Sequence, residues 1–302
     1  MKRFLIAVLT VACLAFGAAT QAHAEAIIGL NTANRLVTFD SATPGTNTAN
    51  VAITGLQSGE TLVGIDFRPA TGVLYGIGTQ GGVYTINRTT GAASLATTLT
   101  ADPTDSSSPF TGLNGAGYGI DFNPTVDRLR LVSDANQNLR INVTTGGTIT
   151  DTDLTFASGA GDPNITGSAY TNNVAGAMTT TLYGIDTVTN SLYTQNANPG
   201  ILTLVGSLGV DPSSDLHGFD ISGATGIAYA AFTVVGQTFS QLYAINLATG
   251  AATLIGQIGG NASIVGLAVI PAAAIPEPAT MILLGTGLAG IAAKVRRRKR
   301  RA

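Results

Sequence analysis

Apolar and polar residues alternate in short runs along most of the chain, as in β-strands that bury one face. One arrangement recurs, in which an alternating apolar run is followed by a turn built on Pro or Gly and then by a second apolar run. It is clearest at residues 62–78, 117–133 and 216–232, and more degenerate at 164–172 and 264–271. The pattern predicts a fold made of repeated β-hairpins.

The copies share a glycine that sets their period. Aligned on it, they fall at Gly64, Gly119, Gly167, Gly218 and Gly266, with spacings of 48 to 55 residues. Two further strands follow within a copy, joined by NRTTG at 87–91, NVTTG at 142–146 or NLATG at 246–250. In such turns Asn bonds to its own backbone and Gly supplies a positive φ. Four strands per unit of about fifty residues are typical of a propeller blade.

The two ends of the repeat region complement each other. The first unit, within residues 26–56, has three strands and lacks an inner one, whereas IVGLAVI at 264–270 is an inner strand with nothing after it. We therefore predict an all-β propeller of five four-stranded blades over residues 25–271, closed by strands from both termini. An irregular sandwich or barrel of similar strand content is the alternative. Residues 102–117 are polar and rich in Gly, which predicts a surface loop and a candidate functional one.

The first 24 residues have the pattern of a secretory signal peptide. A short basic start is followed by an apolar run and by small residues at Ala22 and Ala24, which predicts cleavage by signal peptidase after Ala24. The alternatives are an uncleaved anchor and a lipoprotein modified at Cys13, which lacks the usual Leu three residues upstream. Since Cys13 is the only cysteine, the mature chain would have neither a disulfide nor a thiol nucleophile.

Charge is distributed unevenly between the body and the ends. Between residues 25 and 275 there are six arginines, no lysine and sixteen acidic residues, which leaves a body charge of about −10. Such a surface repels nucleic acid and anionic lipid, so we predict no nucleic-acid partner.

The body offers little material for nucleophilic or zinc chemistry. His217 is its only histidine, and we interpret it as a packed residue rather than a catalytic base. Residues 134–138 begin like a calcium-binding loop, but Leu139 and Thr145 stand where Gly and Glu are needed, so a hairpin turn is predicted. Residues 150–153 are a similar weak case.

Three aspartates form the clearest candidate site in the sequence. Asp66, Asp121 and Asp220 occupy the same position of three inner strands, where the other two copies carry Ala169 and Ala268. Because inner strands line the propeller axis, the carboxylates are predicted to converge. They could bond to backbone amides of a neighbouring strand, hold a channel cation or polyol, or cleave glycosides as an acid and base. The first interpretation is the most economical, so we predict no enzyme, no cofactor and no assigned metal ligand.

The segment 272–302 has three consecutive parts. Pro276, Glu277 and Pro278 precede an apolar run of fifteen residues at 279–293. As a helix this run would span about 22 Å at ~1.5 Å per residue, which is short of a hydrocarbon core of about 30 Å. A basic cluster at 294–301 follows, and its first members, expected to stop transfer through the membrane, are Lys294, Arg296, Arg297 and Arg298. The length predicts a transient anchor rather than a permanent one.

This three-part tail resembles the PEP-CTERM sorting signal of Gram-negative bacteria. The resemblance implies export through the Sec machinery, transient retention in the inner membrane by the C-terminal helix, processing by an exosortase, and association with exopolysaccharide or other surface polymers. The body, with GIDFRPATGVLYGIG and GIDFNPTVDRLRLVSDANQNLRIN, is similar to a propeller-like domain family of bacterial exported proteins that brings no known activity.

The function predicted from these features is that of an exported structural or binding protein of the cell surface or extracellular matrix. The alternative is a glycan-active hydrolase or lyase that uses the axial aspartates.

Overall fold

The computed structural model describes residues 24–261 and 263–272. The predicted signal peptide up to residue 23, including Ala22, lies outside the described residues. So do the sorting motif Pro276, Glu277 and Pro278, and the basic cluster from Lys294 onward. None of the described residues forms a helix with the length and hydrophobicity that crossing a bilayer requires.

The described chain is all-β and forms five sheets, which are the blades of a propeller. Blade one contains β1 (Ala26–Asn31), β2 (Arg35–Asp40) and β3 (Asn47–Ala52). Blade two contains β4 (Leu62–Arg68), β5 (Val73–Gly78), β6 (Gly82–Ile86) and β7 (Ala93–Thr98). Blade three contains β9 (Tyr118–Asn123), β10 (Arg128–Ser133), β11 (Asn138–Ile141) and β12 (Gly147–Thr150), and its outer edge gains β8 (Thr100–Ala101), parallel to β12.

The remaining blades follow the same order from the axis outward. Blade four contains β14 (Ile165–Tyr170), β15 (Leu182–Asp186), β16 (Ser191–Asn196) and β17 (Ile201–Ser207), with β13 (Thr155–Phe156) parallel to β17 at its edge. Blade five contains β18 (Gly218–Ile221), β19 (Ala228–Phe232), β20 (Gln241–Ile245) and β21 (Ala252–Gln257). The last strand, β22 (Ile264–Val269), returns to blade one as its inner strand.

The ring closes by pairing of the first and last strands. β22 runs antiparallel to β1, with Ile27 opposite Val269 and Gly29 opposite Leu267. The predicted five blades and the three-plus-one closure are confirmed. Because this pairing joins residues some 240 positions apart, it depends on all the intervening blades being formed.

The hydrophobic core lies between neighbouring blades. Inner strands are almost wholly buried, whereas the outermost strands, such as β21, expose most of their residues. Between blades two and three, Tyr75 packs edge-on against Phe122, with ring centroids 5.5 Å apart. Burial on both faces explains why inner strands carry apolar residues at consecutive positions.

The repeated Asn-Gly turns connect adjacent blades as well as strands. Asn87 Oδ1 accepts hydrogen bonds from the amides of Thr89 and Thr90, and Gly91 has φ of 73°. A Cβ built on Gly91 would lie 2.1 Å from the carbonyl oxygen of Ala52, in the outer strand of blade one. The glycine is therefore required both by the turn conformation and by this close approach.

The predicted surface loop 102–117 is largely exposed, but its second half is held down. Phe110 and Leu113 pack against the core between blades two and three. The amide of Asn114 donates to Gln137 Oε1 at 2.9 Å, and the amide of Ala116 donates to Asp134 Oδ1 at 2.9 Å.

Candidate functional site

The propeller axis is nearly closed at the level of the five aligned glycines. A Cβ on Gly119 would lie 2.6 Å from the amide nitrogen of Ser168, and one on Gly218 would lie 2.5 Å from Cβ of Leu267. The void that these strands enclose is only about 10 Å³, which is the volume of roughly one water molecule. Glycine is thus needed at positions 119 and 218, where an added Cβ would meet the backbone of the next inner strand.

Two residues further along the inner strands, the structure brings Asp66, Asp121 and Asp220 together. One oxygen from each carboxylate lies within 4.8 Å of the other two. The three residues are 1%, 1% and 2% exposed, respectively. The equivalent residues of the other two blades, Ala169 and Ala268, are also buried, so the five inner strands contribute three carboxylates at this level of the axis.

Asp66 links two neighbouring inner strands. Its Oδ1 accepts a hydrogen bond from the amide of Phe67 at 2.6 Å, and its Oδ2 accepts one from the amide of Phe122 at 2.7 Å. Phe122 directly follows Asp121 in blade three, so the carboxylate spans the boundary between blades two and three. Hydrogen bonds between an ionised acceptor and a backbone amide are stronger than neutral ones.

Asp220 repeats this geometry at the boundary between blades five and one. Its Oδ1 accepts from the amide of Ile221 at 2.6 Å, and its Oδ2 accepts from the amide of Val269 at 2.6 Å. Val269 directly follows Ala268, the equivalent position in blade one. The identical bonding of two aspartates supports the structural interpretation of their repetition.

Asp121 differs from the other two. Neither of its oxygens accepts a hydrogen bond from a donor group among the described residues, although both are buried, and the neighbouring carboxyl of Asp220 can bond to Asp121 only if the two share a proton. The amide of Tyr170 lies close enough to oppose the rise in the pKa of Asp121, but it does not reach hydrogen-bond geometry. An unpartnered buried carboxylate is costly, so this position is where the site needs a further group.

Burial raises the pKa of all three carboxyls above the ordinary value for aspartate. For Asp220, burial raises the pKa to about 6, while its two amide bonds act in the opposite direction. The charge of Asp220 further raises the pKa of Asp66, and the charges of both raise that of Asp121. No arginine is in salt-bridge contact with the cluster within the described ranges, so a proton or a bound cation must offset this charge. Carboxylate oxygens are ligands for hard cations such as Ca²⁺ and Mg²⁺.

A depression of about 1050 Å³ opens at the end of the axis where the inner strands finish. Its lining includes Asp220, Ser222, Arg88, Asn173 and Pro69. Because Asp220 belongs to the lining, the depression extends to the level of the aspartates. It is larger than the pocket of about 290 Å³ that lies beside Tyr170 and Asn198.

His217 is a buried residue, as the sequence indicated. It is 2% exposed, its Nε2 lies 2.8 Å from Thr166 Oγ1, and its ring packs edge-on against Phe232 at 5.4 Å. Burial lowers the pKa of His217 to about 4. The imidazole is therefore neutral in the core.

Residues 134–138 form the predicted hairpin turn rather than a calcium loop. Asn136 has φ of 62°, and its amide donates to the carbonyl of Ser133 at 3.1 Å. In the segment 150–153, the side chain of Asp151 is engaged by two arginines. Arg130 Nη1 lies 2.8 Å and Arg140 Nη2 lies 3.0 Å from its two oxygens.

These arginines belong to a pocket that the sequence analysis missed. Arg128, Arg130 and Arg140 line a pocket of about 290 Å³ beside Tyr170 and Asn198. We call it the arginine pocket. It gathers half of the six body arginines in one place. The sequence contained a pattern that could have predicted this pocket. Residues 128 and 130 share one face of β10, and Arg130 pairs directly with Arg140 in β11.

Solved structures give fold-level likenesses with low identity. One match is in the crystal structure of a nidogen/laminin complex, with 11% identity, a TM-score of 0.48, and coverage of 82% of this chain and 98% of that chain. Another is a protein from Lactobacillus plantarum, with 12% identity, a TM-score of 0.42, and coverage of 82% and 99%. No curated protein matches the chain.

Two family profiles match the sequence. The PEP-CTERM protein-sorting motif matches residues 274–298, which implies an exported protein that transits the membrane, is processed by an exosortase and reaches the cell surface. The second profile covers residues 35–268, from the second strand of blade one to its closing strand. This chain therefore belongs to the family of the domain of unknown function DUF4394, with a PEP-CTERM sorting motif after its propeller.

Proposed function

We propose that the exported propeller is a non-enzymatic binding or structural component of the cell surface or extracellular matrix, in contact with exopolysaccharide or another surface polymer. The observation that carries this proposal is the PEP-CTERM motif at residues 274–298, which follows closely on a propeller whose strands span residues 26–269.

The geometry of the axial aspartates argues against the glycan-hydrolase alternative. Retaining glycosidases hold their two carboxyl groups about 5–5.5 Å apart, and inverting ones about 6.5–9.5 Å apart. Here the oxygens are within 4.8 Å, and no residue of the cluster is more than 2% exposed. The oxygens of Asp66 and Asp220 also accept hydrogen bonds from backbone amides, which further disfavours a catalytic role for them.

Two concave surfaces support a binding role. The axial depression is large enough, at about 1050 Å³, for several sugar residues or an equivalent polymer segment. The arginine pocket concentrates positive charge on a body of about −10, where it favours acidic groups of a polymer. Arg130 and Arg140 already pair with Asp151, so Arg128 and the remaining positive charge of the pocket would attract such a group.

Cell fractionation tests the sorting part of the proposal. An epitope is placed after Ser106, in the exposed first half of loop 102–117, because the second half packs on the core. We expect processed protein at the cell surface for the wild type. For Pro276→Ala/Pro278→Ala we expect unprocessed protein in the membrane fraction. Equal amounts of full-length protein in the same fraction for both chains would contradict the proposal.

A further inference from the structure

We propose that the axial cluster of Asp66, Asp121 and Asp220 binds one divalent cation, with Ca²⁺ as the best fit. The proposal rests on the convergence of three carboxylates and on the lack of any donor group for one of them. It concerns the interior of the propeller and does not depend on the proposed role at the surface.

The first argument is the balance of charge. Three carboxylates with oxygens within 4.8 Å carry up to three negative charges in a site that is at most 2% exposed. Ala169 and Ala268 complete the ring at this level without adding a charge. Buried charges of one sign require compensation, and no arginine is in salt-bridge contact with these carboxylates within the described residues. One divalent ion and at most one proton would leave the cluster neutral.

The second argument is the different bonding of Asp121. Asp66 and Asp220 each satisfy both oxygens with backbone amides, whereas both oxygens of Asp121 are buried without a donor group, and the carboxyl of Asp220 beside them can bond to Asp121 only through a shared proton. A carboxylate oxygen has two lone pairs, so an oxygen that accepts an amide hydrogen can still coordinate a cation. Asp121 would therefore be the principal ligand, supported by one oxygen from each neighbour.

The third argument is distance. Calcium binds oxygen at about 2.3–2.6 Å, so two ligands on opposite sides of one ion are at most about 5 Å apart. The observed limit of 4.8 Å meets this condition without rearrangement. Magnesium binds at about 2.0–2.1 Å and demands near-ideal octahedral geometry, so it tolerates a donor set of fixed spacing less well than calcium does. A set held in place by strand amides fits the larger and more tolerant ion better.

Calcium takes six to eight oxygen ligands, which is more than three aspartates supply if each gives one oxygen. The remaining ligands would be second carboxylate oxygens and water. Asp220 lines the axial depression, so solvent and ions have an approach from that side. The opposite side is closed by the glycine ring, whose void is only about 10 Å³.

The test measures bound metal and thermal stability of the exported protein, recovered with its epitope in buffer without added metal. We expect about one calcium per chain by elemental analysis. EDTA should lower the midpoint of thermal unfolding by several degrees, and added CaCl₂ should restore it, whereas MgCl₂ should do so only partly. These measurements on the wild type decide the question even if a variant fails to fold.

The variant that isolates the site is Asp121→Asn, which keeps the shape of the side chain and removes one charge. Because Asp121 bonds no amide within hydrogen-bond geometry, the variant should fold, lose the calcium and respond to neither EDTA nor CaCl₂. Asp153→Asn, an exposed site with the same change of charge, is the matched control and should behave as wild type. A metal-free wild type insensitive to CaCl₂ would overturn the proposal in favour of shared protons. So would calcium retained unchanged by Asp121→Asn.

Discussion

Asp66 in blade two accepts a hydrogen bond from the backbone amide of Phe122 in blade three, at 2.7 Å. The same carboxylate accepts from the amide of Phe67 in its own strand, so one side chain satisfies amides on both sides of a blade boundary. A buried amide without an acceptor is destabilising. The repeated aspartate is therefore part of the way in which neighbouring blades are joined.

Asp66→Ala should lower the free energy of unfolding by about 2–4 kcal/mol, because it leaves two buried amides without an acceptor. Asp121→Ala should cost clearly less, since it leaves none. The measurement is urea unfolding in EDTA, so that bound metal does not contribute. If the two variants were equally destabilised, the amide bonds of Asp66 would not be the source of the effect.

Gly119→Ala should destabilise the propeller by about 1–3 kcal/mol or prevent ring closure. The new Cβ would lie 2.6 Å from the amide nitrogen of Ser168 and 2.7 Å from the carbonyl carbon of Gly167, and backbone atoms cannot move aside as a side-chain end can. Gly45→Ala is the control, because its nearest contact is an ordinary 3.6 Å. Equal unfolding midpoints for both variants would show that the axis is looser than this geometry requires.

His217 should make the protein less stable as the pH falls. Its pKa is about 4 in the folded protein and about 6.5 when unfolded, so the unfolded chain binds an extra proton between these values. The contribution of His217 to the free energy of unfolding is fully present above pH 6.5. It decreases as the pH falls towards 4, by roughly 3 kcal/mol in total. Asp220, with its pKa raised to about 6, acts in the opposite direction over part of this range.

The contribution of His217 is therefore measured as a difference from His217→Gln. The gap in unfolding free energy between the wild type and the variant should shrink or reverse from pH 7 to pH 4. A gap that stays constant over this range would mean that the imidazole is not held neutral by burial.

Arg128→Ala/Arg140→Ala should weaken binding to an acidic polysaccharide such as polygalacturonate about tenfold or more, because two of the three positive charges of the arginine pocket are removed. Arg130 is left in place, since it is buried and bonded to Asn138 and Asp151. Arg35→Ala, a change outside this pocket, is the control and should bind as wild type. Binding should also weaken with added salt. Equal binding by wild type and double variant, or equal loss by the control, would exclude the pocket as the contact site.

The repeat and the turn chemistry of the propeller were readable from the sequence. The glycine period of 48 to 55 residues and the Asn-Gly turns predicted both the blade count and the terminal closure. The prediction succeeded because each blade is a local unit, whose strands and turns are determined by residues that lie close together in the sequence. The short parallel edge strands β8 and β13 were not predicted, since each depends on an outer strand that lies tens of residues away.

The candidate site was predicted only in part. The common position of Asp66, Asp121 and Asp220 was visible in the repeat, but the difference between two amide-bonded carboxylates and an unpartnered one was not. The arginine pocket was missed for a similar reason. Its arginines are brought together by strand pairing in blade three, and the rest of its lining includes Tyr170 and Asn198 from blade four.

The repeat, the all-β architecture and the sorting signal could be predicted from the amino-acid sequence, because each of these depends on residue types at short spacing. How closely the inner strands approach at Gly119 and Gly218, and therefore that the axis is almost closed, became clear from the assembled propeller. The assembled propeller also shows that the aspartates are buried among backbone amides rather than open to a substrate. The reason is that burial and amide partners at the axis arise only when all five blades are assembled around it.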